Sequence, residues 1–106
     1  MFGRQITAKL KATSVTEFMR INEEEILPIL RKQKGFRDGI TLVSPERLEV
    51  VASTFWDSQA DADAYSRAVY PDVMKIIANV IEGSPSVKTF EFATSTFNKA
   101  VAAKLA

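Results

Sequence analysis

Hydrophobic and polar residues alternate with a period of two between residues 4 and 12. The even positions from Ile6 to Ala12 are apolar, and the odd positions from Gln5 to Lys11 are polar. This alternation predicts a β-strand with one buried face.

The pattern changes to helical spacing after residue 13. Ser14 and Glu17 have the spacing of a capping box, and apolar residues then recur three and four positions apart up to residue 30. Gly35 is expected to end this helix. Pro28 lacks a backbone amide and is therefore expected to kink or split the helix.

A β-hairpin is predicted next. Residues 36–43 and 48–56 are rich in β-branched and aromatic side chains, and the tetrapeptide SPER between them is a turn signal.

A second helix and a last strand complete the pattern. Asp57 or Ser58 is expected to cap the helix, Pro71 to interrupt it and Gly83 to end it. Residues 86–96 alternate again and predict the strand. The remaining tail is expected to form a short helix or to fray.

The predicted element order is β-α-β-β-α-β in a single domain of residues 1–106. Two right-handed crossovers would place both helices on one face of a four-stranded antiparallel sheet, the ferredoxin-like arrangement of the α+β class. The other face would carry apolar pairs such as Val51 with Phe55 or Val50 with Ala52. Because an apolar face is rarely left in water, we expect a homodimer formed through this sheet face.

Composition narrows the chemistry that this domain can carry out. Hydrophobic residues make up 46% and charged residues 25% of the chain, as in ordinary globular proteins. Cysteine and histidine are both absent. This excludes thiolate catalysis and removes the usual general base and the commonest metal ligand. We expect no metal site.

Nucleic acid and membranes are not expected partners. The formal net charge is +1, which offers no field to attract either an anionic membrane or nucleic acid. The third predicted strand, LEVVASTFW, also lacks the aromatic signature of RNA-binding domains with this element order. No run approaches the roughly 20 apolar residues of a membrane span, and the first residues lack a signal-peptide core. A cytoplasmic location is the default expectation.

Two stretches of the chain resemble a known family. The stretch from residue 53, STFWDSQADADAYSRAVYPDVMKIIANVIEGSPSVKTFEF, contains a strand ending in tryptophan, an acidic and alanine-rich helix start, a tyrosine, a proline and a final strand. The upstream segment ILPILRKQKGFRDGITLV contains a proline, an arginine and a Gly-Phe junction in matching order. Both are similar to the antibiotic biosynthesis monooxygenase-like family of the dimeric α/β-barrel superfamily.

The resemblance implies a barrel formed by the sheets of two subunits, with a cavity between each sheet and its helices. It also implies cofactor-independent oxygenation of a small aromatic or polyketide-like molecule, because oxygenases of this family use neither metal nor flavin. The haem-degrading branch relies on a histidine, which this chain lacks. Other members have no known reaction, so a non-catalytic small-molecule-binding or accessory protein is the alternative.

Three side chains are candidates for catalysis. The resemblance points to Trp56, at a strand end, as an indole that holds a planar substrate, although it would equally fill the end of the core. Asn22 lies on the apolar stripe of the first helix, where its amide would bond either a ligand carbonyl or nearby backbone. Tyr65 lies on the stripe of the second helix, and its phenol would bind a substrate oxygen or pack in the core.

Further residues are candidates for substrate binding. Arg37 would either stabilise a developing negative charge or lie exposed on its strand. Tyr70 would contribute a phenol like that of Tyr65. The apolar wall of the cavity is expected to consist of Phe18, Met19, Met74, Ile77, Phe90 and Phe92. Asp38 and Glu91 lie on predicted strands and would either accept the substrate's proton or carry a surface or dimer-interface charge, and no carboxylate is expected inside the cavity.

Overall fold

The computed structural model describes residues 1–93. Its elements in chain order are β1 (Phe2–Leu10), α1 (Val15–Ile21), a π-helical turn (Asn22–Ile26), α2 (Leu27–Arg31), β2 (Phe36–Ser44), β3 (Glu49–Trp56), α3 (Gln59–Ala68), α4 (Tyr70–Ile77) and β4 (Ile81–Glu91). Within these residues, no helix has the length and apolar character needed to cross a membrane.

The four strands form one antiparallel sheet in the order β2-β3-β1-β4. β1 is therefore a central strand that pairs with β3 on one side and with β4 on the other. Its side chains at even positions, from Phe2 to Leu10, face the helices, and most of them are buried. This architecture confirms the predicted ferredoxin-like fold of the α+β class.

Both predicted helices are divided at their prolines. The ring of Pro28 would clash with the carbonyl of Glu24 in a regular α-helix, and the wider π-helical turn that precedes it relieves this clash. Pro71 lies in the first turn of α4, after Val69 leaves the helical region with φ −120°. The first helix of the simple pattern consequently consists of three consecutive short segments and the second of two.

The two predicted helix caps have different outcomes. Ser58 caps α3 as predicted, because its hydroxyl accepts a hydrogen bond from the backbone amide of Asp61 at 3.2 Å. The prediction of a capping box at Ser14 is wrong, since this side chain makes no capping hydrogen bond. Its intended partner Glu17 instead pairs with Arg20, one turn further along the exposed face of α1, at 2.6 Å.

The largest difference from the sequence expectation is at β4. Gly83 was expected to end the second helix, but α4 ends at Ile77 and Gly83 lies inside β4 with φ +65°. Val80 and Ile81 are both buried. A longer helix and an earlier strand would each bury them, so the hydrophobic pattern did not distinguish these two structures. The predicted strand residues 94–96 and the tail lie outside the described residues.

The sheet face away from the helices, here called the outer face, carries exposed apolar side chains. The partners in each antiparallel pair share a face, so the pairing of Leu42 with Val51 and of Gly3 with Phe90 places all of these on the outer face. Leu42 is 61% exposed. Of the two apolar pairs suggested from sequence, Val51 with Phe55 lies on this face, whereas Val50 faces the helices.

Gly35 and Gly83 form a matched pair for testing the turn before β2. Both have positive φ, +79° and +65°. A Cβ at Gly35 would lie 2.2 Å from the carboxylate and 2.7 Å from the Cβ of Asp61, whereas a Cβ at Gly83 would meet nothing within 4 Å.

We predict that Gly35→Ala lowers the free energy of unfolding by about 2–4 kcal/mol, because backbone strain adds to displacement of Asp61. Gly83→Ala should cost only the strain, about 1 kcal/mol. Urea denaturation of both variants measures the difference, and equal losses would contradict the close approach at Gly35.

Candidate functional site

A cavity of about 60 Å³ lies between the sheet and the helices. Most of its wall is apolar and comes from both layers, with side chains of Ile6, Ala8, Phe18, Ile26, Leu27, Leu30, Val50, Ala52, Val73, Met74, Ile77 and Ile81. Pockets for complete drug-sized ligands usually exceed about 300 Å³. This cavity therefore accommodates one small group in its present form.

Six polar residues interrupt the apolar wall, namely Arg4, Asn22, Thr41, Ser53, Thr54 and Tyr65. Arg4 is the only one that carries a charge at neutral pH. Among residues 1–93, no aspartate or glutamate lines the cavity. The site thus combines hydrogen-bond donors with a single cation and no anion.

Arg4 is a buried cation on the central strand. Its side chain is on the helix-facing side of β1, where the residue is only 4% exposed. The guanidinium carbon lies 4.1 Å from the ring centre of Tyr70 and 5.5 Å from that of Tyr65. These cation–π contacts are worth about 2 kcal/mol when desolvated.

The guanidinium of Arg4 is nevertheless incompletely satisfied. Its Nη1 atom is buried and has no hydrogen-bond partner, and none of the ion pairs within residues 1–93 includes Arg4. An unpaired buried donor costs about 1–3 kcal/mol, and more when it is charged. The fold therefore holds a donor at this cavity at a cost in stability.

Trp56 lies behind the cavity. It is 0% exposed, stacks edge-on with Phe36 at 5.5 Å and lies 5.0 Å from the Tyr65 ring centre. Its indole Nε1 donates a hydrogen bond to Thr54 Oγ1 at 2.9 Å. The indole N–H therefore has a protein partner, and Trp56 supports Tyr65 and Thr54 without lining the cavity.

Tyr65 projects from α3 into the cavity. Burial raises the pKa of Tyr65 to about 12, although the positive charge of Arg4 acts in the opposite direction. The phenol is consequently protonated at neutral pH. Tyr65 is suited to donate a hydrogen bond to a ligand oxygen but not to accept a proton.

Asn22 lies where α1 gives way to the π-helical turn, and π-helical turns occur frequently at functional sites. It lines the cavity, and its Nδ2 is 3.5 Å from Thr41 Oγ1 on β2. This is a long hydrogen bond. The amide is therefore loosely held and can reorient toward a ligand.

The apolar wall differs in part from the expected one. Phe18, Met74 and Ile77 line the cavity. Met19 is 53% exposed and does not line this cavity. Phe90 and Phe92 lie on the outer face with Phe55, because Phe90 pairs with Gly3 and not with a helix-facing residue of β1.

The remaining two candidates lie near the cavity without lining it. Tyr70 packs its ring against the guanidinium of Arg4. Arg37 is at the surface and is ion-paired with Asp57, with Nη2 3.0 Å from Oδ2. A role for Arg37 in holding a charge inside the cavity has no support from this position.

Sequence reasoning missed Arg4 and Thr54. Arg4 is in phase with Ile6, Ala8 and Leu10, so the alternation that predicted the first strand also placed an arginine on its buried face. A charged residue is almost never buried without a partner. That conflict was the signal that could have identified the site.

No carboxylate cluster suitable for a metal ion occurs in the described part of the chain. The polar cavity groups are nitrogen donors and hydroxyl groups, which do not form a usual set of metal ligands.

Comparison with known proteins gives the fold and little more. No protein-family model matches the sequence, and no curated protein matches it. The structure is similar to a protein of unknown function from Nitrosomonas europaea, with a TM-score of 0.76 and 12% identity over 92% of this chain and 93% of that one.

Two further structures carry a functional description. One is a putative antibiotic biosynthesis monooxygenase from Nitrosomonas europaea, with a TM-score of 0.71 and 16% identity over 88% of this chain and 99% of that one. The other is a monooxygenase of Streptomyces coelicolor in complex with the ligand nanaomycin D, with a TM-score of 0.74 and 12% identity over 92% and 91% of the two chains. The resemblance seen in the sequence is confirmed at the level of the fold.

The raised pKa of Tyr65 leads to a prediction for alkaline pH. The folded-state pKa of about 12 lies above the ordinary value of 10.0, so the unfolded chain releases this proton first. The resulting stability, about 2–3 kcal/mol, is fully present below pH 10 and is lost as the pH rises to 12.

Urea denaturation at a series of alkaline pH values should therefore show a smaller loss in Tyr65→Phe than in the native protein. Spectroscopic titration of the tyrosinate band provides a direct check, since the group with the highest pKa should disappear in Tyr65→Phe. Retention of that group in the variant would contradict the assignment.

Proposed function

We propose that this protein is a cofactor-independent monooxygenase that acts on a small aromatic or polyketide-like molecule. The observation that carries the proposal is the apolar cavity at which Arg4, Asn22 and Tyr65 converge. Its support from comparison is the fold shared with monooxygenase structures, one of which was solved with nanaomycin D.

The reaction requires a substrate that supplies its own electrons. An activated ring methylene flanked by carbonyl or aromatic groups loses a proton, and the resulting anion transfers one electron to dioxygen. The two radicals combine into a peroxide, which loses water to leave a carbonyl. One oxygen atom enters the substrate, the other leaves as water with the two methylene hydrogens, and the substrate carbon is oxidised by four electrons.

The residues of the cavity have separate tasks in this proposal. Tyr65 donates a hydrogen bond to the substrate oxygen on which negative charge accumulates, and Asn22 orients the same group from the opposite helix. The apolar wall excludes water, which protects the radical pair and strengthens both hydrogen bonds. Trp56 keeps the Tyr65 ring in place through its contact at 5.0 Å.

An aromatic ring needs more space than the present 60 Å³. The cavity opens most cheaply where the helical layer is already irregular, at the π-helical turn before Pro28 and at Pro71, because a proline has no backbone amide to donate to the helix. Substrate binding is thus proposed to separate the helical segments and to leave the sheet unchanged.

The alternative is a non-catalytic protein that binds a small molecule in the same cavity. One observation favours it: among residues 1–93, no carboxylate lines the cavity, and the phenol of Tyr65 is a weak acid. Such a protein would bind the same ligands without consuming oxygen.

We also propose that two copies of the chain pack through the outer face. This face combines exposed apolar residues with opposite charges, Lys9 next to Glu49 on the neighbouring strand. A twofold symmetric interface requires a surface that complements itself, and such mixed charges around apolar residues meet this requirement.

Oxygen uptake tests the catalytic proposal. With an anthrone-like substrate, the native protein should consume one dioxygen per carbonyl formed. We predict that Tyr65→Phe lowers the rate about 10- to 100-fold, because it removes one donor to the developing negative charge. The surface variant Lys75→Gln on α4 is the control and should keep the native rate.

Binding without oxygen uptake would favour the non-catalytic alternative. The ligand should then quench the fluorescence of Trp56 while the dissolved oxygen stays constant. Equal rates in native protein and Tyr65→Phe would contradict the proposed role of this phenol.

Charge insertion tests the dimer. Leu42→Glu places a carboxylate on the outer face. This variant should be a monomer of 11.8 kDa, whereas the native protein should have twice that mass. Met19→Glu is the matched control, because Met19 is similarly exposed, at 53% against 61%, on the helical side. Light scattering that shows only 11.8 kDa for the native protein at micromolar concentration would refute the dimer.

A further inference from the structure

The guanidinium of Arg4 is a charge that the described protein does not neutralise. Nine-tenths or more of the residue is buried, its Nη1 has no hydrogen-bond partner, and it lines the cavity between sheet and helices. The polar residues that share the cavity with it are two threonines, a serine, an asparagine and a tyrosine, none of which is anionic.

A purely structural arginine would be expected to look different. Buried arginines normally form ion pairs with carboxylates or donate to several carbonyl groups, because an uncompensated buried charge is strongly destabilising. Two surface arginines of this chain have such carboxylate partners, since Arg20 contacts Glu17 and Glu24 and Arg37 pairs with Asp57. Arg4 instead contacts two neutral phenols: it faces both tyrosine rings, and the Tyr70 side chain is also its hydrogen-bond partner.

The two rings fix the guanidinium without neutralising it. A ring face attracts the cation but accepts no in-plane hydrogen bond, so these ring contacts leave the N–H groups of Nη1 available. Stacking on Tyr70 at 4.1 Å thus orients the plane of the group and leaves Nη1 free for a ligand.

We propose that the cavity is a binding site for an organic anion, with Arg4 donating to its negatively charged oxygen. The ligand class is a small carboxylate or the ionised hydroxyl of a phenol or enol. Asn22 and Tyr65 flank the same space and supply neutral donors. The inference rests on the proposed function in taking this cavity as the substrate site.

The proposal accounts for the missing proton acceptor. A phenol or enol bound as its anion has already released its proton to the solvent, so no residue of the cavity has to remove it. The titratable groups that face Arg4 are Tyr65 on α3 and Tyr70 on α4, and burial raises the pKa of each phenol. Both remain neutral, so neither cancels the positive charge of the guanidinium.

Acetate and acetamide provide a matched pair of probes, because they have nearly the same shape and differ in charge. At constant ionic strength, acetate should raise the melting temperature of the native protein and acetamide should not. Arg4→Met should bind acetate at least tenfold more weakly, whereas Arg4→Lys should retain part of the binding. Arg31→Met makes the same change at an exposed arginine of α2 and should bind like the native protein.

The fold of Arg4→Met should survive, because the substitution removes an unpaired buried charge and keeps an unbranched apolar stem. Urea denaturation should show stability equal to or above that of the native protein. If Arg4→Met is instead strongly destabilised, Arg4 has a structural counter-charge and the proposal is wrong.

4-Nitrophenol tests the phenolate class through its colour. Binding of the anion should lower the apparent pKa of this phenol by about one unit, which corresponds to tenfold tighter binding of the ionised form. In Arg4→Met the apolar cavity should leave that pKa unchanged or raise it. A lowered pKa without acetate binding assigns the site to phenols and enols, and acetate binding alone assigns it to carboxylates.

Absence of both effects in the native protein would overturn the anion site. These measurements use no turnover and can be made without oxygen. Anion binding without oxygen uptake would therefore refute the oxygenase and keep the inference, and oxygen uptake without anion selectivity would do the reverse.

Discussion

The alternation of side chains along β1 is the constraint on which the other features depend. β1 pairs with a strand on each side, so its phase decides what both neighbours present to the helices. The phase that turns Ile6, Ala8 and Leu10 toward the helices also buries Arg4. A slip of one residue would free the arginine but would expose the apolar side of the strand, and the core therefore holds the charge in place.

The sequence was sufficient for the fold because each local pattern agrees with the others. The hairpin, the interruptions at the prolines and the cap at Ser58 rest on short-range chemistry that tertiary contacts reinforce. The prediction of a capping box at Ser14 was wrong because Arg20, one turn away, offers Glu17 a charged partner. The predicted start of β4 was wrong because Val80 and Ile81 would be buried either at the end of a helix or at the start of a strand. Hydrophobicity alone therefore did not separate the two structures.

The candidate site was less predictable, since it depends on which strand faces meet. Tyr65 and Asn22 could be found from helical periodicity. The placement of Phe90 on the outer face depends on its pairing with Gly3, which no local pattern reveals. Thr54 belongs both to the cavity wall and to the aromatic core. Its Oγ1 accepts a hydrogen bond from the indole of Trp56 and lies 3.4 Å from the carbonyl oxygen of Arg4. The wall that holds the cation is thereby tied to the aromatic core.

The irregular pairing of the two edge strands has a consequence for self-association. In β2, the pairing is irregular near Phe36. In β4, the pairing is interrupted around Gly83, which has a positive φ and lies two residues before Pro85. Proline offers no amide to a further strand, and bulged edges twist away from regular pairing. The sheet is thus a poor template for end-to-end growth into fibrils, even though its outer face is apolar. The proposed pairing of two outer faces would instead stop at a closed particle.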